Sequence, residues 1–418
     1  MKDLLKTIIK DFHERGLPEF IKRELDISLD TGKIISIIGP RRAGKTYMMY
    51  QLISKIADLT NVIYINFEDE RLELGSKDLN LIIEAYLELY PDKKETELYF
   101  FFDEIQEIPD WEKFVRRVYD TISKRIFITG SSAKLLSREI ATSLRGRTIS
   151  YEIFPLSFKE YLRFADVEPD IHSTRGKAKT ISALRGYMSR GGFPEIVNVQ
   201  EEIAKKTLTN YFEVMLYRDI IERYNVSNAL PLKLFVKRLL GNISKEFTVN
   251  KIFNNLKSEG IRISKDSLYN FLDYSEDSYI LIPVNNFSES TGKQTIKKIY
   301  SIDVGLSLQF SFALSKDLGR ILENVILLEL KRRGKDVYYF KDKEECDFII
   351  REKEKIVGAI QVCYELNEDN RKRELKGLKM AMDRFGLKRG LIITFNQKDR
   401  LGSIEVIPAC QWLLTGPH

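Results

Sequence analysis

An eight-residue stretch near the N-terminus has the composition of a phosphate-binding loop. Residues 39–46 read GPRRAGKT and follow the apolar run IISII, so the pattern is Gly-x-x-x-x-Gly-Lys-Thr. Small residues let backbone N–H groups close around phosphate oxygens, next to a helix N-terminus that favours anions. Lys45 can reach the β- and γ-phosphate oxygens, and the Thr46 hydroxyl can ligate Mg²⁺. The stretch therefore predicts a site for ATP and Mg²⁺. Its expected contact residues are Gly39, Pro40, Arg41, Arg42, Ala43, Gly44, Lys45, Thr46 and Tyr47.

An acidic pair ends a later strand-like run and predicts hydrolysis. In LYFFFDEIQEI the apolar residues lead directly into Asp103 and Glu104. An aspartate in this position holds Mg²⁺ through water, and the adjacent glutamate can polarise the attacking water. A solvated acidic pair after a buried strand is the alternative. The phosphate loop on a preceding strand favours the catalytic interpretation.

Further polar residues are candidates for the remaining catalytic roles. The run RIFITGSS ends in a polar tip that includes Thr129 and Ser131, and Ser131 is favoured as the sensor of the γ-phosphate. Arg145 and Arg147 are candidates for the arginine that stabilises charge in the transition state, including across the subunit interface of a homo-oligomer. Either arginine can equally be a structural ion-pair partner. Arg218 in YRDIIERY is a third candidate.

The positions of apolar runs predict how the elements follow one another. In the first half, short apolar runs alternate with helical patterns, which indicates a parallel sheet covered on both faces and a nucleotide-binding α/β domain. From about residue 156 the pattern is helical. Residues 228–305 contain three helical patterns and two strands, with Thr248 and Ser264 as N-caps and Gly260 as a C-cap, and this order predicts a winged helix. The last block, 318–414, is again α/β.

The motifs together resemble a prokaryotic family of AAA+-like ATPases that is common in archaea and carries a C-terminal domain of uncharacterised function. The resemblance rests on GPRRAGKT, YINFEDERL, FFDEIQEIPDWEKFVRRVYD, ITGSSAKLLSREIATSLRGRT, IFPLSFKEYL, GGFPE and YRDIIERY. It implies an α/β fold with a P-loop AAA+-type parallel sheet, a helical lid, a winged helix and a C-terminal domain similar to restriction-endonuclease-type nucleases. The expected domains are the ATPase core (1–155), the lid (156–227), the winged helix (228–305) and a degenerate nuclease-like domain (318–418).

The C-terminal block matches part of a nuclease site. The restriction-endonuclease plan needs an acid on a first helix, an Asp at a strand end, and an acid-x-Lys on the next strand. Glu323 and Asp347 match the first two positions, but the third reads Gln361-Val-Cys. These oxygens can still ligate Mg²⁺. The missing lysine, which Lys376 or Lys379 could replace, favours an inactive fold with a retained binding surface over cleavage.

The partner of the winged helix is left open between DNA and protein. Its third helix, residues 264–279, is acidic, with Lys265 as its only basic residue and Asn270 as its only amide. DNA-reading helices usually present Arg, Lys, Asn or Gln. Lysines on the wing and the neighbouring helices nevertheless favour DNA as a partner, and a nucleotide-switched protein-interaction module is the alternative. The basic residues are Lys233, Lys237, Arg238, Lys245, Lys251, Lys257, Lys293, Lys297 and Lys298.

Composition limits the class of protein. Apolar residues make up 43% of 418, and the net charge of +6 permits weak attraction to nucleic acid. No run approaches the length of a membrane span, so no membrane partner is expected. Three cysteines without CxxC spacing argue against a disulfide framework, and a reducing cytoplasm is the expected location.

Overall fold

The computed structural model describes residues 1–131, 144–288, 296–311 and 317–415. The chain divides into two compact units, Met1–Ile153 and Phe154–His418. Within the described ranges, none of the helices combines the length and the apolar character needed to span a bilayer.

A five-stranded parallel sheet forms the centre of the first unit. Its strands are β1 (Ile34–Ile38), β2 (Val62–Asn66), β3 (Tyr99–Asp103), β4 (Ile126–Gly130) and β5 (Thr148–Glu152), in the order β2-β3-β4-β1-β5. All neighbouring strands run parallel. Alternate residues of β1 and β3 join two separate apolar clusters, one on each face of the sheet. The predicted α/β fold with a P-loop-type parallel sheet is confirmed.

Helices accompany this sheet in the alternation that the sequence predicted. They are α1 (Lys2–Arg15), α2 (Lys45–Ile53), α3 (Asn80–Leu89) and α4 (Trp111–Thr121). Strand β5 was not predicted, because its residues are largely exposed and lack the apolar run that marks β1 to β4.

The second unit begins with a helical segment. Its elements are α5 (Phe158–Phe164), α6 (Thr174–Arg190), α7 (Glu201–Leu216) and a π-helical turn (Tyr217–Glu222). Ser157 starts α5 with a capping box, because its hydroxyl accepts from the Glu160 N–H while the Glu160 carboxylate accepts from the Ser157 N–H.

Three helices and a small antiparallel sheet follow. They are α8 (Ala229–Leu240), β6 (Lys245–Phe247), α9 (Val249–Ser258), α10 (Lys265–Asp277), β7 (Leu281–Asn285) and β8 (Lys297–Ser301), with the sheet order β6-β8-β7. Thr248 and Ser264 are N-caps as predicted, and Gly260 follows the end of α9 with a positive φ of 81°. The name winged helix stays a prediction for this segment.

A six-stranded mixed sheet completes the second unit. Its elements are α11 (Val304–Leu308), α12 (Leu318–Arg332), β9 (Asp336–Lys341), β10 (Glu345–Glu352), β11 (Lys355–Val362), α13 (Glu368–Phe385), β12 (Gly390–Thr394), β13 (Asp399–Leu401), β14 (Ile404–Pro408) and α14 (Ala409–Thr415). The strand order is β13-β14-β12-β11-β10-β9. The last two strands and α14 were not predicted, because short strands beside polar turns carry a weak periodic signal.

Candidate functional site

The phosphate loop lies between β1 and α2, at the carboxyl end of the sheet where ligands bind in α/β folds. A side chain at Gly39 would overlap the carbonyl oxygen of Ile153, so only glycine fits there. Gly44 caps α2 with a positive φ of 96°. Arg23, which the sequence did not indicate, donates to the Ala43 carbonyl at 2.7 Å and braces the loop. The phosphate loop therefore fits a phosphate chain, because backbone groups line it.

Asp103 connects the end of β3 to the first turn of α2. The Thr46 hydroxyl donates to Asp103 Oδ2 at 2.7 Å, and the Tyr64 hydroxyl donates to the same oxygen at 3.0 Å. The Thr129 hydroxyl donates to Asp103 Oδ1. Burial, followed by the charge of Glu104, raises the pKa of Asp103. The predicted Mg²⁺ pair, Thr46 and Asp103, is therefore brought into direct contact.

Glu104 and Lys45 form a buried ion pair beside this pair. Lys45 Nζ lies 3.0 Å from Glu104 Oε1 and also donates to the carbonyls of Gly39 and Pro40 at 3.4 and 3.3 Å. Burial favours the neutral form of Glu104, but the ammonium of Lys45, the hydrogen bond from Gln106 and the charge of Arg41 together outweigh burial and lower the pKa of the carboxyl. Gln106 Nε2 donates to Glu104 Oε2 at 2.6 Å. The carboxylate is thus ionised and held from two sides.

The remaining loop residues have distinct surroundings. Arg41 forms an ion pair with Glu68, while Arg42 is exposed and has a positive φ of 66°. Tyr47 is half exposed and packs edge-on against Tyr50. Arg41 within the loop is thus largely covered, whereas Tyr47 just after it is half exposed.

The other predicted catalytic residues differ in how they are held. Ser131 is buried, and two residues earlier on the same strand tip the Thr129 hydroxyl contacts both acids of the pair. Arg147 pairs with Asp120 at 3.1 Å, whereas Arg145 is exposed and has a positive φ of 50°. Arg218, also exposed, lies 3.9 Å from Glu222 on its own turn.

The three predicted nuclease-site residues also meet, in the second unit. Gln361 Oε1 accepts from the Asp347 N–H at 3.3 Å, and Glu323 and Asp347 both contact Lys298. These side chains line a polar cavity of about 520 Å³. Gln361 Nε2 donates to Glu374 Oε2 at 2.7 Å, so Glu374 is a further member that the sequence did not indicate.

The lysine of this cluster is not the one that the sequence suggested. Lys376 pairs with Glu344 at the cavity rim, and the lysine between the carboxylates is Lys298 from β8. The expectation that Lys298 contacts DNA phosphate is therefore wrong, because its side chain is buried among carboxylates. Lys298 and Tyr300 share one face of β8, and their two-residue spacing is the signal that could have indicated the cluster.

Several other candidates for DNA contact are used inside the protein. Lys233 pairs with Glu213, Arg238 pairs with Glu259, and Lys237 lies over the rings of Phe212 and Phe310. Lys245 and Lys251 are exposed instead and line a groove of about 230 Å³ between α8, β6 and α9. Asn242, Thr248 and Asn255 also line it. Lys293 falls outside the described residues.

Comparison with known families divides the chain into three matched regions. Residues 31–162 match the AAA domain model. Residues 181–316 and 318–412 match two models described only as domains of unknown function, DUF8612 and DUF4143. The C-terminal match therefore gives no support to the expected similarity to nucleases.

Relatives match the chain over nearly its whole length. Uncharacterized protein MJ1544 of Methanocaldococcus jannaschii is 42% identical and covers 94% of this chain and 91% of its own length. An uncharacterized protein of Haemophilus influenzae is 31% identical, with 92% and 95% covered. Among solved structures, the Walker-type ATPase PABY2304 of Pyrococcus abyssi has 14% identity, a TM-score of 0.45 and coverages of 73% and 94%. The Aeropyrum pernix ORC1 protein in complex with DNA has 13% identity, a TM-score of 0.30 and coverages of 76% and 92%.

Proposed function

Because the chain belongs to a family of AAA-domain proteins with archaeal and bacterial members, we propose that it binds ATP with Mg²⁺ in its first unit and hydrolyses the terminal phosphate bond. One observation carries this proposal. The loop lysine, the loop threonine and both acids after β3 meet in one buried cluster, with contacts of 2.7 to 3.0 Å. These are the four side chains that phosphoryl transfer in P-loop proteins requires.

The contacts of Lys45 suggest how the cluster handles phosphate. Its ammonium is bonded to Glu104 and to two loop carbonyls, so phosphate oxygens that enter the cradle compete with these acceptors. Transfer of Lys45 to phosphate frees the carboxylate of Glu104 to orient a water molecule and accept its proton. Thr46 and Asp103 would hold Mg²⁺, which neutralises phosphate charge when bound. Arg41 is a further candidate phosphate contact.

Two substitutions separate binding from hydrolysis. Glu104→Gln should lower ATP turnover by about 100-fold or more, because the general base is lost while the cradle remains. Lys45→Ala should remove nucleotide binding as well. Turnover is measured by phosphate release and affinity by titration with a fluorescent ATP analogue. Glu95→Gln, an exposed acid on the same unit, is the matched control. Turnover of Glu104→Gln within twofold of the unmutated protein would refute the assignment.

We also propose DNA as the partner of the second unit, with the groove beside Lys245 and Lys251 as the contact surface. The groove combines exposed ammonium groups with the side-chain amides of Asn242 and Asn255, and it includes the N-terminal end of α9, where phosphate oxygens are favoured. Because α10 is acidic, we expect other elements to contact the DNA bases. A nucleotide-switched protein-interaction module is the alternative, and it predicts an assembly state that differs between ATP and ADP.

The DNA proposal is tested by its salt dependence. Duplex binding by anisotropy should weaken steeply as salt rises, and the Lys245→Ala, Lys251→Ala double variant should reduce the logarithmic salt slope by about 2. Lys398→Ala, an exposed lysine elsewhere on the unit, should leave the slope unchanged. Absence of salt-sensitive binding, with and without ATP, would favour the protein-interaction alternative.

An ATP-regulated, Mg²⁺-dependent nuclease remains a further alternative for the C-terminal part. The meeting of Glu323, Asp347 and Gln361 in one cavity supports it, since these oxygens suit Mg²⁺. The position of Lys298 between the two carboxylates weighs against it in this arrangement of the chain. If cleavage occurs, Asp347→Ala must abolish it while ATP turnover persists.

A further inference from the structure

A cavity of about 990 Å³ in the second unit combines apolar and aromatic side chains with a few charged ones. Helices α6 and α7, the residues after α11, the first turn of α12 and the residues after β11 and β12 form its walls. Met188, Leu208 and Ile321 are buried apolar members of this lining. None of the described residues that line the cavity belongs to the proposed ATP site or to the proposed DNA groove. Cavities of this size bind small molecules when a few polar groups fix the orientation of the ligand.

Two stacked rings line this cavity where strands β11 and β12 end. The two strands run parallel, and ligands of open α/β sheets bind beyond the carboxyl ends of parallel strands. Tyr364 and Phe395 come just after β11 and β12, and their ring centroids lie 4.7 Å apart with an angle of 18° between the ring planes. The guanidinium of Arg185 lies over the Phe395 ring, 5.4 Å from its centroid. The two rings and the guanidinium together offer a flat surface that suits a planar ligand.

The described lining of the cavity carries an excess of positive charge. Lys205 pairs with Glu201, the acid of this lining, at 2.6 Å, so these two charges offset each other. Arg185 and Arg190 also line the cavity, and neither forms an ion pair in the part of the chain that the structure describes. Arg190 Nη1 instead donates to the Val199 carbonyl at 2.9 Å, which holds this guanidinium at the end of α6. Two guanidinium groups beside apolar walls favour an anionic ligand, because charge interactions strengthen where water is excluded.

We propose that this cavity binds a small organic anion that carries an aromatic ring system. Arg185 and Arg190 supply the positive charge for its acidic group, and the planar guanidinium suits a carboxylate, sulfonate or phosphate. The stacked rings of Tyr364 and Phe395 supply the flat apolar surface for its ring system. An aliphatic acid would use the charge but not this surface, so the aromatic class is favoured. The inference is independent of ATP hydrolysis in the first unit and of DNA binding.

Two fluorescent probes test the inference on the full chain without nucleotide. 1-Anilinonaphthalene-8-sulfonate is an aromatic anion, and N-phenyl-1-naphthylamine has the same rings without the sulfonate. The Arg185→Met, Arg190→Met double variant should bind the sulfonate at least about tenfold more weakly and the neutral probe less than about threefold more weakly, because mainly the charge is lost. Arg175→Met, which removes an exposed arginine from the first turn of the same helix, should change neither affinity. Equal affinity of the double variant and the unmutated protein for the sulfonate would overturn the inference.

A blocking variant and a competition experiment test the location of the site and the class of ligand, even if the double variant folds poorly. Ser189 is an exposed residue of the lining, so Ser189→Trp should fill part of the cavity and abolish binding of both probes while the denaturant midpoint is retained. In the unmutated protein, 2-naphthoate should displace the sulfonate at a lower concentration than decanoate, an acid of similar size without rings. Unchanged probe binding by Ser189→Trp would place the probes elsewhere and refute the site. Stronger displacement by decanoate would refute the aromatic class.

Discussion

The hydroxyl of Thr129 organises both acids of the proposed catalytic pair. It donates to Asp103 Oδ1 and accepts from the Glu104 N–H at 2.8 Å. The backbone of Glu104 is left-handed, with φ 51°. This conformation is unfavourable for residues other than glycine, so the surrounding contacts must stabilise it. One buried hydroxyl thus contacts both the acid that we propose to hold Mg²⁺ and the backbone of the proposed general base.

Replacing this hydroxyl should therefore affect chemistry more than nucleotide affinity. Thr129→Val keeps the volume and removes both hydrogen bonds, and kcat for ATP should fall at least about tenfold, which is about 1.4 kcal/mol of transition-state stabilisation. Ser131→Ala, the residue favoured from the sequence, is compared in the same phosphate-release assay. A larger loss of kcat in Ser131→Ala than in Thr129→Val would return the sensor role to Ser131.

A second buried acid, Asp303, makes the stability of the second unit depend on pH. Its carboxylate accepts from the N–H groups of Gly192 at 2.6 Å and Leu306 at 3.0 Å. Burial outweighs these bonds and raises the pKa of Asp303 to about 6, above its ordinary value of 3.8. The folded state therefore binds more protons than the unfolded state between these two values.

The sign of the pH effect follows from this linkage. The contribution of Asp303 to stability is fully present below pH 3.8 and is lost as pH rises through about 6. Asp303→Asn cannot titrate, so between pH 4 and pH 7 the unmutated protein should lose on the order of 3 kcal/mol relative to the variant. Denaturant unfolding at both pH values measures this difference. A pH-independent difference would contradict the raised pKa.

At the scale of elements, the double glycine of GGFPE allows the end of α6 to pack against Asp303. A side chain at Gly191 would overlap the Asp303 carboxylate, and Gly191 has a positive φ of 88°. A side chain at Gly192 would lie 2.7 Å from the Leu156 carbonyl oxygen. The motif, which the sequence linked only to a family resemblance, therefore has a packing role.

Replacing Gly191 with alanine should lower the free energy of unfolding for two reasons, backbone strain and overlap with Asp303. Gly402 offers a matched control, because its φ of 67° is also positive but no atom lies within 4 Å of a side chain placed there. Gly402→Ala should lose about 1 kcal/mol through backbone strain alone, and Gly191→Ala should lose at least about 3 kcal/mol. Equal losses in denaturant unfolding would show that Asp303 moves aside without cost.

At the scale of the whole molecule, the arginine candidates predict how subunits would cooperate. Arg147 is held by Asp120 and lies over the ring of Tyr119, so its contacts are those of a structural residue. Arg145 is exposed, two residues earlier, in a left-handed conformation. We expect this exposed arginine to contact the proposed nucleotide site of a neighbouring copy in a homo-oligomer.

Mixing inactive variants tests this arrangement. Arg145→Ala should lower ATP turnover by about 10³-fold with nucleotide affinity retained, whereas Arg147→Ala should mainly lower stability. Arg145→Ala and Glu104→Gln chains have complementary defects, so their mixture should recover part of the turnover that each lacks. Turnover of the mixture equal to the sum of the separate proteins would exclude a shared site.

The structural features that the sequence predicted correctly are those that depend on neighbours along the chain. The phosphate loop, the acidic strand end and the helix caps at Thr248 and Ser264 are local patterns, because backbone geometry over a few residues decides them. The parallel sheet was also predicted from local patterns, because apolar runs that alternate with helices indicate strands buried on both faces of a sheet. The relatives match nearly the whole chain, but they are uncharacterized and therefore indicate no binding partner.

Tertiary structure alone decided the contacts between residues that are distant in the chain. Lys298 looked like a wing lysine. The folded chain buries Lys298 against acids up to 49 residues away. A single charged residue in a sequence does not indicate which residue it will pair with, because burial and pairing are decided only when separate layers pack together. The sequence by itself therefore determined the local elements of the proposed nucleotide site, and the packing of two sheets decided which cation the C-terminal carboxylates contact.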